Sequence, residues 1–319
     1  MKMVLGGIGL ILFNAILLAV TCSAGSSLPA NSAFRFVIWS DTKTGLNNLS
    51  TVSNQIKALN PIMTLYPGDL CENGATTACL DLWKAALDGG MSNGLSAITF
   101  ASRGNHDSSN TSTWQSYFDF AGVASMIGAT HYSSYTADLT YSFDLGNSHF
   151  VMIDLPISGA SSMDSGTMSW LDVDLAAAES RGLAHAFIAF HVPIYYVDGH
   201  ADTVAENLII VLNKHTIVSA TFHGHEHVLA YVHIGSTRIQ AVTHPFEEFV
   251  SGGGGARLYN CASGRSDWCQ SSFGFFLINV SGSSFTVDAY LEGVMRPVKS
   301  WTFSNTTQSP PVSPSPSAN

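Results

Sequence analysis

Phe34-Arg35-Phe36-Val37-Ile38-Trp39 is a largely apolar run of strand length, and Asp41 stands just past its C-terminal end. Residues 51–59 carry Val52, Ile56 and Leu59 at helical spacing, and Ile62-Met63-Thr64-Leu65-Tyr66 reads as a second strand running into Gly68-Asp69. This strand-helix-strand unit, with a carboxylate at each strand end, sets the fold class as α/β. The pattern continues outward from it. A helix is expected over residues 80–87, and Ala97-Ile98-Thr99-Phe100-Ala101 is a third strand leading into Gly104-Asn105-His106-Asp107. Residues 141–154 read as a hairpin, residues 168–181 as a helix, and Ala184-His185-Ala186-Phe187-Ile188-Ala189-Phe190 as a strand ending at His191. Residues 217–222 lead into His223-Gly224-His225-Glu226-His227. Strand after strand therefore delivers polar residues to one edge, the way open α/β sheets build ligand sites. Beyond position 228, short strands are expected at residues 231–234, 238–242, 273–280 and 285–291, with Gly252-Gly253-Gly254-Gly255 as a flexible loop.

The flanking segments read differently. Lys2, an apolar stretch over residues 3–20 and the small residues around Cys22-Ser23-Ala24 describe a signal peptide over 1–24; a retained membrane anchor is the competing reading. A body over residues 34–303 and a Ser/Thr/Pro-rich tail over 304–319, expected to be disordered, complete the organisation. Only 11% of the 319 residues are charged, against about a quarter in ordinary soluble proteins. Such a composition suits a secreted, extracellular or periplasmic protein, with no stable membrane insertion once the signal is cleaved. The net charge of −10 and the lack of any Lys/Arg run argue against nucleic acid as a stable partner. Cys71, Cys79, Cys261 and Cys269 form an even set that remains after signal removal, and proximity favours pairing 71 with 79 and 261 with 269 among three connectivities.

Hydrolysis of phosphate esters by metal ions needs oxygen and imidazole ligands, a bridging carboxylate and open positions. Asp41, Asp69, Asn105, His191, His225 and His227 supply that chemistry, with no thiolate among them. In order along the chain, Asp41-Thr42-Lys43, Gly68-Asp69, Gly104-Asn105-His106-Asp107, His191 and Gly224-His225-Glu226-His227 resemble the calcineurin-like metallophosphoesterase superfamily. Residues 141–154 and 191–195 resemble secreted purple-acid-phosphatase-like members. The resemblance implies a four-layer αββα sandwich of two mixed sheets flanked by helices. It also implies two divalent or trivalent ions (Zn, Mn or Fe), with Asp69 bridging, Asp41 and His227 on the first ion, and Asn105, His191 and His225 on the second. His106, held by Asp107, would assist the leaving oxygen, and a metal-activated water would attack phosphorus in line. The substrate implied is a small phosphoester: a monoester first, with a diesterase as the alternative.

The chain departs from the family at two positions. Lys43 stands where the family usually has His and purple acid phosphatases have Gly, and Glu72 stands where the latter have Tyr. An ammonium cannot ligate a metal. Three readings follow: Lys43 acts with Glu72, as an ion pair or with Glu72 as the replacement ligand; Lys43 binds substrate phosphate; or Lys43 faces solvent beside a weak first site. The last leaves room for a catalytically weak phosphate- or metal-binding surface protein. His223, beside the Gly-His-x-His loop, is a candidate substrate contact. His131, His149, His185, His200, His215, His233 and His244 read as surface or satisfied core histidines, and Glu247-Glu248 as a solvated edge.

Overall fold

The structure, a computed structural model, describes residues 27–29, 32–91, 94–155, 163–198 and 206–305. The signal peptide expected over 1–24, the tail beyond 305 and His200 lie outside the described residues. The strands are β1 (Phe34–Ile38), β2 (Met63–Pro67), β3 (Thr99–Ser102), β4 (Thr130–Thr136), β5 (Thr140–Leu145), β6 (Ser148–Met152), β7 (His185–Ala189), β8 (Val218–His223), β9 (Leu229–Ile234), β10 (Phe246–Ser251), β11 (Trp268–Gln270), β12 (Gly274–Ser281), β13 (Ser284–Leu291) and β14 (Lys299–Ser304). The helices are α1 (Leu46–Leu59), α2 (Thr77–Asp88), α3 (Thr111–Tyr117), α4 (Phe120–Met126), α5 (Ser165–Ser180) and α6 (Glu206–Leu212).

Two mixed sheets result. The six-stranded sheet runs β14-β13-β12-β1-β2-β3 and the eight-stranded sheet β11-β9-β10-β8-β7-β6-β5-β4. β1, β2 and β3 are mutually parallel, with Phe36 opposite Met63 and Thr64 opposite Thr99. β6, β7, β8 and β10 form the parallel centre of the second sheet. Parallel strands need crossover helices, which explains α1 between β1 and β2 and α2 between β2 and β3. α1 stops at Asn60 in the left-handed conformation, just before Pro61, which cannot continue a helix. α2 starts on Thr76, whose side chain accepts from the Cys79 N–H at 3.3 Å, and ends at a left-handed Gly89.

Strand alternation sorts the core into layers. In β7, Phe187 points into the space between the sheets, while Ala186 and Ile188 join the cluster beneath α5 and α6. Between the sheets, Phe36 meets Phe150 edge-on at 5.1 Å and Phe222 at 6.0 Å. Leu49, Val52 and Ile56 of α1 pack on the first sheet; Leu171 and Leu175 of α5 with Leu208 and Leu212 of α6 pack on the second. This is the αββα sandwich that the resemblance implied.

Three local expectations are corrected. Residues 238–242 form turns, and the strand lies instead at β10, whose burial comes with partners for both glutamates. Glu248 is fully buried and accepts the N–H groups of Ile194 and Tyr195 at 3.0 and 3.1 Å, and Glu247 accepts from the Tyr231 hydroxyl at 2.8 Å. Gly252–Gly255 is a packed spacer rather than a flexible loop. A Cβ at Gly252 would lie 2.2 Å from the Glu226 carbonyl oxygen, and one at Gly254 would lie 2.2 Å from that of Ser40. β14 extends one residue past the expected end of the body.

Candidate metal centre

The first sheet brings Asp41, Asp69 and Asn105 to the C-terminal ends of β1, β2 and β3, and the second brings His191, His225 and His227 to the ends of β7 and β8. The two edges meet, so all six predicted ligands face one another. Asp41, Lys43, Asp69 and His225 all have positive φ, at 66°, 49°, 55° and 69°. L-residues rarely adopt that region, and a tight cluster of them marks a place where surrounding contacts over-determine the backbone. The contacts are visible. The Asp69 carbonyl accepts the N–H groups of Thr42 and Lys43 at 2.9 and 3.1 Å, interlacing the first two loops. Gly68, at φ 92°, lets the backbone pass where a Cβ would meet His191 Nδ1 at 2.5 Å and Gly104 Cα at 2.7 Å.

Ligand-type atoms, carboxylate and amide oxygens and imidazole nitrogens, converge at the centre. His191 donates from Nδ1 to the Pro67 carbonyl at 2.8 Å, so Nε2 is the nitrogen that faces the centre, able to ligate an ion or, without one, to hold a second proton. That Nε2 lies 3.0 Å from Asn105 Oδ1 and 3.4 Å from Asp69 Oδ1. His225 Nδ1 lies 3.0 Å from the same Asn105 oxygen. His227 donates from Nδ1 to the Arg257 carbonyl at 2.7 Å, so its Nε2, buried and without a hydrogen-bond partner among the described residues, is a lone pair 3.4 Å from Asp41 Oδ1. One ligand atom each from Asp41, Asp69 and His191 lies within 4.8 Å of the others, and all three residues are buried. Such a set is stable only with a positive charge between its members. Burial opposes charge on both Asp69 and His191, yet their mutual attraction outweighs it, lowering the Asp69 carboxyl and raising the His191 imidazole. Burial and the neighbouring His191 push His225 down to about 4, which keeps its ring neutral and able to ligate. Oxygen and imidazole donors at these spacings fit a divalent or trivalent ion and not a thiophilic one.

Other predicted residues sit differently from expectation. Asp107 does not hold His106. It is fully buried and accepts the N–H groups of Leu70 (3.1 Å), Cys71 (2.9 Å) and Gly104 (3.1 Å), fastening the second and third loops together. Burial and the nearby Asp69 charge push its carboxyl up to about 7. His106 is held through Nδ1–H to the Glu72 carbonyl at 2.9 Å, with the Glu72 carboxylate 3.5 Å away. Lys43 pairs not with Glu72 but with His106 Nε2 at 2.9 Å and Asp69 Oδ2 at 3.6 Å. His223 is fully buried, donating to the Phe190 carbonyl at 3.0 Å with Nε2 turned to Glu248. Cys71–Cys79 and Cys261–Cys269 are disulfides, each with Cα atoms 6.0 Å apart.

Sequence reasoning missed the supports. Ser40 donates to Asp41 Oδ2 at 2.6 Å. Glu226, the unweighted middle residue of Gly-His-x-His, accepts the Val197 and Asp198 N–H groups at 2.8 and 2.7 Å and ties that loop to the segment after His191. Tyr259 stacks on His227 with ring centroids 4.2 Å apart. A carboxylate between two ligand histidines was a signal available for Glu226; nothing in the sequence pointed to Tyr259.

Buried oxygen and imidazole ligands at the strand ends of a two-sheet sandwich define a metal-binding hydrolase scaffold. Residues 34–229 match the family model described as calcineurin-like phosphoesterase, and the chain belongs to that family. No curated protein matches it. Among solved structures, a purple acid phosphatase, PPD1, from yellow lupin (Lupinus luteus) aligns with TM-score 0.65 at 17% identity, covering 88% of this chain and 55% of that one. The chain thus spans about half the length of that phosphatase. A dimetal phosphatase from Danio rerio aligns with TM-score 0.57 at 16% identity over 88% of this chain and all of that one. GAP50, the anchor in the inner membrane complex of Plasmodium, aligns with TM-score 0.59 at 13% identity over 85% and 89%. At these identities the three share the fold.

Proposed function

We propose that the protein is a secreted metal-dependent phosphoester hydrolase acting on small phosphomonoesters. The observation that carries this reading is the convergence of oxygen and imidazole groups from Asp41, Asp69, Asn105, His191, His225 and His227, with the buried His227 Nε2 left without a hydrogen-bond partner among the described residues, which an ion would satisfy. Zn, Mn or Fe ions, when bound there, supply Lewis acidity and a nucleophilic water at neutral pH for in-line attack on phosphorus. The chain's own part is positional. Pro67 and Arg257 carbonyls fix the tautomers of His191 and His227. His106 and Lys43 form a pair at the rim, with the His106 side chain 28% and that of Lys43 12% exposed; with both His106 nitrogens engaged, the Lys43 ammonium is the member with a donor left for a phosphate or leaving oxygen. Both disulfides suit an oxidising compartment, and among the described residues no helix is long and apolar enough to cross a membrane.

The test is hydrolysis of p-nitrophenyl phosphate and bis-p-nitrophenyl phosphate with added Mn or Zn, alongside elemental analysis. Faster turnover of the first ester supports a monoesterase, and preference for the second makes the protein a diesterase. Bound metal without turnover of either would favour a binding protein. Lys43 lying against Asp69 is the observation that supports this second reading.

A further inference from the structure

We infer that this centre is built for one ion, with the Lys43 ammonium serving as its second, fixed positive charge and as a contact for the substrate phosphate. The inference deepens the phosphoesterase reading and rests on it. The two oxygens of Asp69 are already divided. Oδ1 faces His191 at 3.4 Å and accepts the His106 N–H at 2.9 Å, while Oδ2 faces the Lys43 ammonium at 3.6 Å. A carboxylate bridges two ions through both oxygens or through one; here Oδ2 faces the ammonium, which closes the two-oxygen bridge, and a second ion sharing either oxygen would lie against that positive charge. Asp41, Asp69 and His191 cluster within 4.8 Å of one another, with room for one ion between them, and His227 stands beside Asp41 at 3.4 Å. On the far side, an incoming ion would find Asp41 and His227 but would lie against the ammonium at Asp69.

Lys43 is also no loose surface lysine. Its backbone is held at φ 49° by the N–H to Asp69 carbonyl bond of 3.1 Å, and its Nζ donates to His106 Nε2 at 2.9 Å. His106 accepts there because its own proton is spent on the Glu72 carbonyl. The ammonium is thus fixed from two sides, and its remaining N–H groups can donate to an anion.

The experiment counts ions and measures phosphate binding separately from turnover. The holoprotein, Lys43→His and Lys43→Met would each be titrated calorimetrically with Mn, the Mn-loaded forms examined by electron paramagnetic resonance, and inorganic phosphate then added as the probe. We expect one Mn per wild-type chain with an uncoupled spectrum, and two per Lys43→His chain with the spectrum of a spin-coupled pair. Lys43→Met, which removes the charge and adds no strong ligand, should keep one Mn and bind phosphate about 10- to 100-fold more weakly. Two ions of similar affinity in the wild type would overturn the inference whatever the variants do. Unchanged phosphate affinity in Lys43→Met would remove the substrate-contact half of it. No Mn bound to any of the three would instead sink the metal-dependent reading on which the inference rests.

Discussion

At the scale of single residues, the centre depends on carboxylates that are buried and fully engaged. Asp69→Asn removes a charge set between His191 and Lys43, and it is expected to lower metal affinity by more than the roughly 10- to 100-fold that loss of an outer partner costs. Calorimetric metal titration checks this, with turnover falling in parallel. Asp107→Asn acts by another route. The variant keeps one acceptor oxygen where three N–H groups now converge on two, so a stability loss of about 2 kcal/mol is expected from denaturant unfolding. The convergence of the candidate ligands was legible in the sequence because each follows an apolar strand, and a strand end is where a parallel sheet presents its side chains. The supports were not. The sequence suggests Asp107 as a partner for its neighbour His106, whereas its oxygens go to backbone groups that no sequence pattern displays. Lys43 was visible as an anomaly, yet its partner is an imidazole 63 positions away, and only the meeting of two loops reveals it.

Among elements, α5 shows how helices are fastened to the second sheet. His149 on β6 is fully buried, with Nδ1 2.7 Å from Asp144 on β5 and Nε2 2.9 Å from Asp174 on α5, while Arg181 and His131 face the same Asp144. Burial lowers the affinity of this imidazole for its second proton, but the two carboxylates outweigh that and raise its pKa above the ordinary 6.5. A raised folded value makes the contribution complete below pH about 6.5 and lost as pH climbs through the folded value. Thermal unfolding of wild type and His149→Gln should therefore differ more at pH 5.5 than at pH 9; a gap that widens toward alkaline pH would refute the assignment. Regular elements with clear periodicity, such as α5 and β7, were readable in the sequence within a few residues. β10 was not, because Phe246-Glu247-Glu248-Phe249-Val250-Ser251 places two carboxylates in a central strand. Their acceptance of N–H and O–H groups from other segments is what makes that burial tolerable.

For the molecule as a whole, the ligands come from both sheets, so a bound ion closes the seam between them. Metal-loaded protein should unfold at a higher temperature than protein treated with a chelator, by the equivalent of about 2.7 kcal/mol when free metal is at 100 times its dissociation constant. Scanning calorimetry with and without chelator reads this directly. The Cys261–Cys269 bridge closes the loop that begins two residues after Tyr259, which stacks on His227. Replacing both cysteines with serine should cost about 2–3 kcal/mol in denaturant titrations and loosen that stacking. The strand order has a further consequence. The eight-stranded sheet is a single stretch of chain, residues 130–270, interposed between β3 and β12, and β1 finds its second neighbour only in β12. On a ribosome adding about 5–20 residues per second, Asp41 emerges early but waits roughly 10 to 50 s for the strand that completes its side of the sheet. Until then its apolar neighbours Phe36 and Ile38 are half-sheltered, and the second sheet is made while the first is still incomplete.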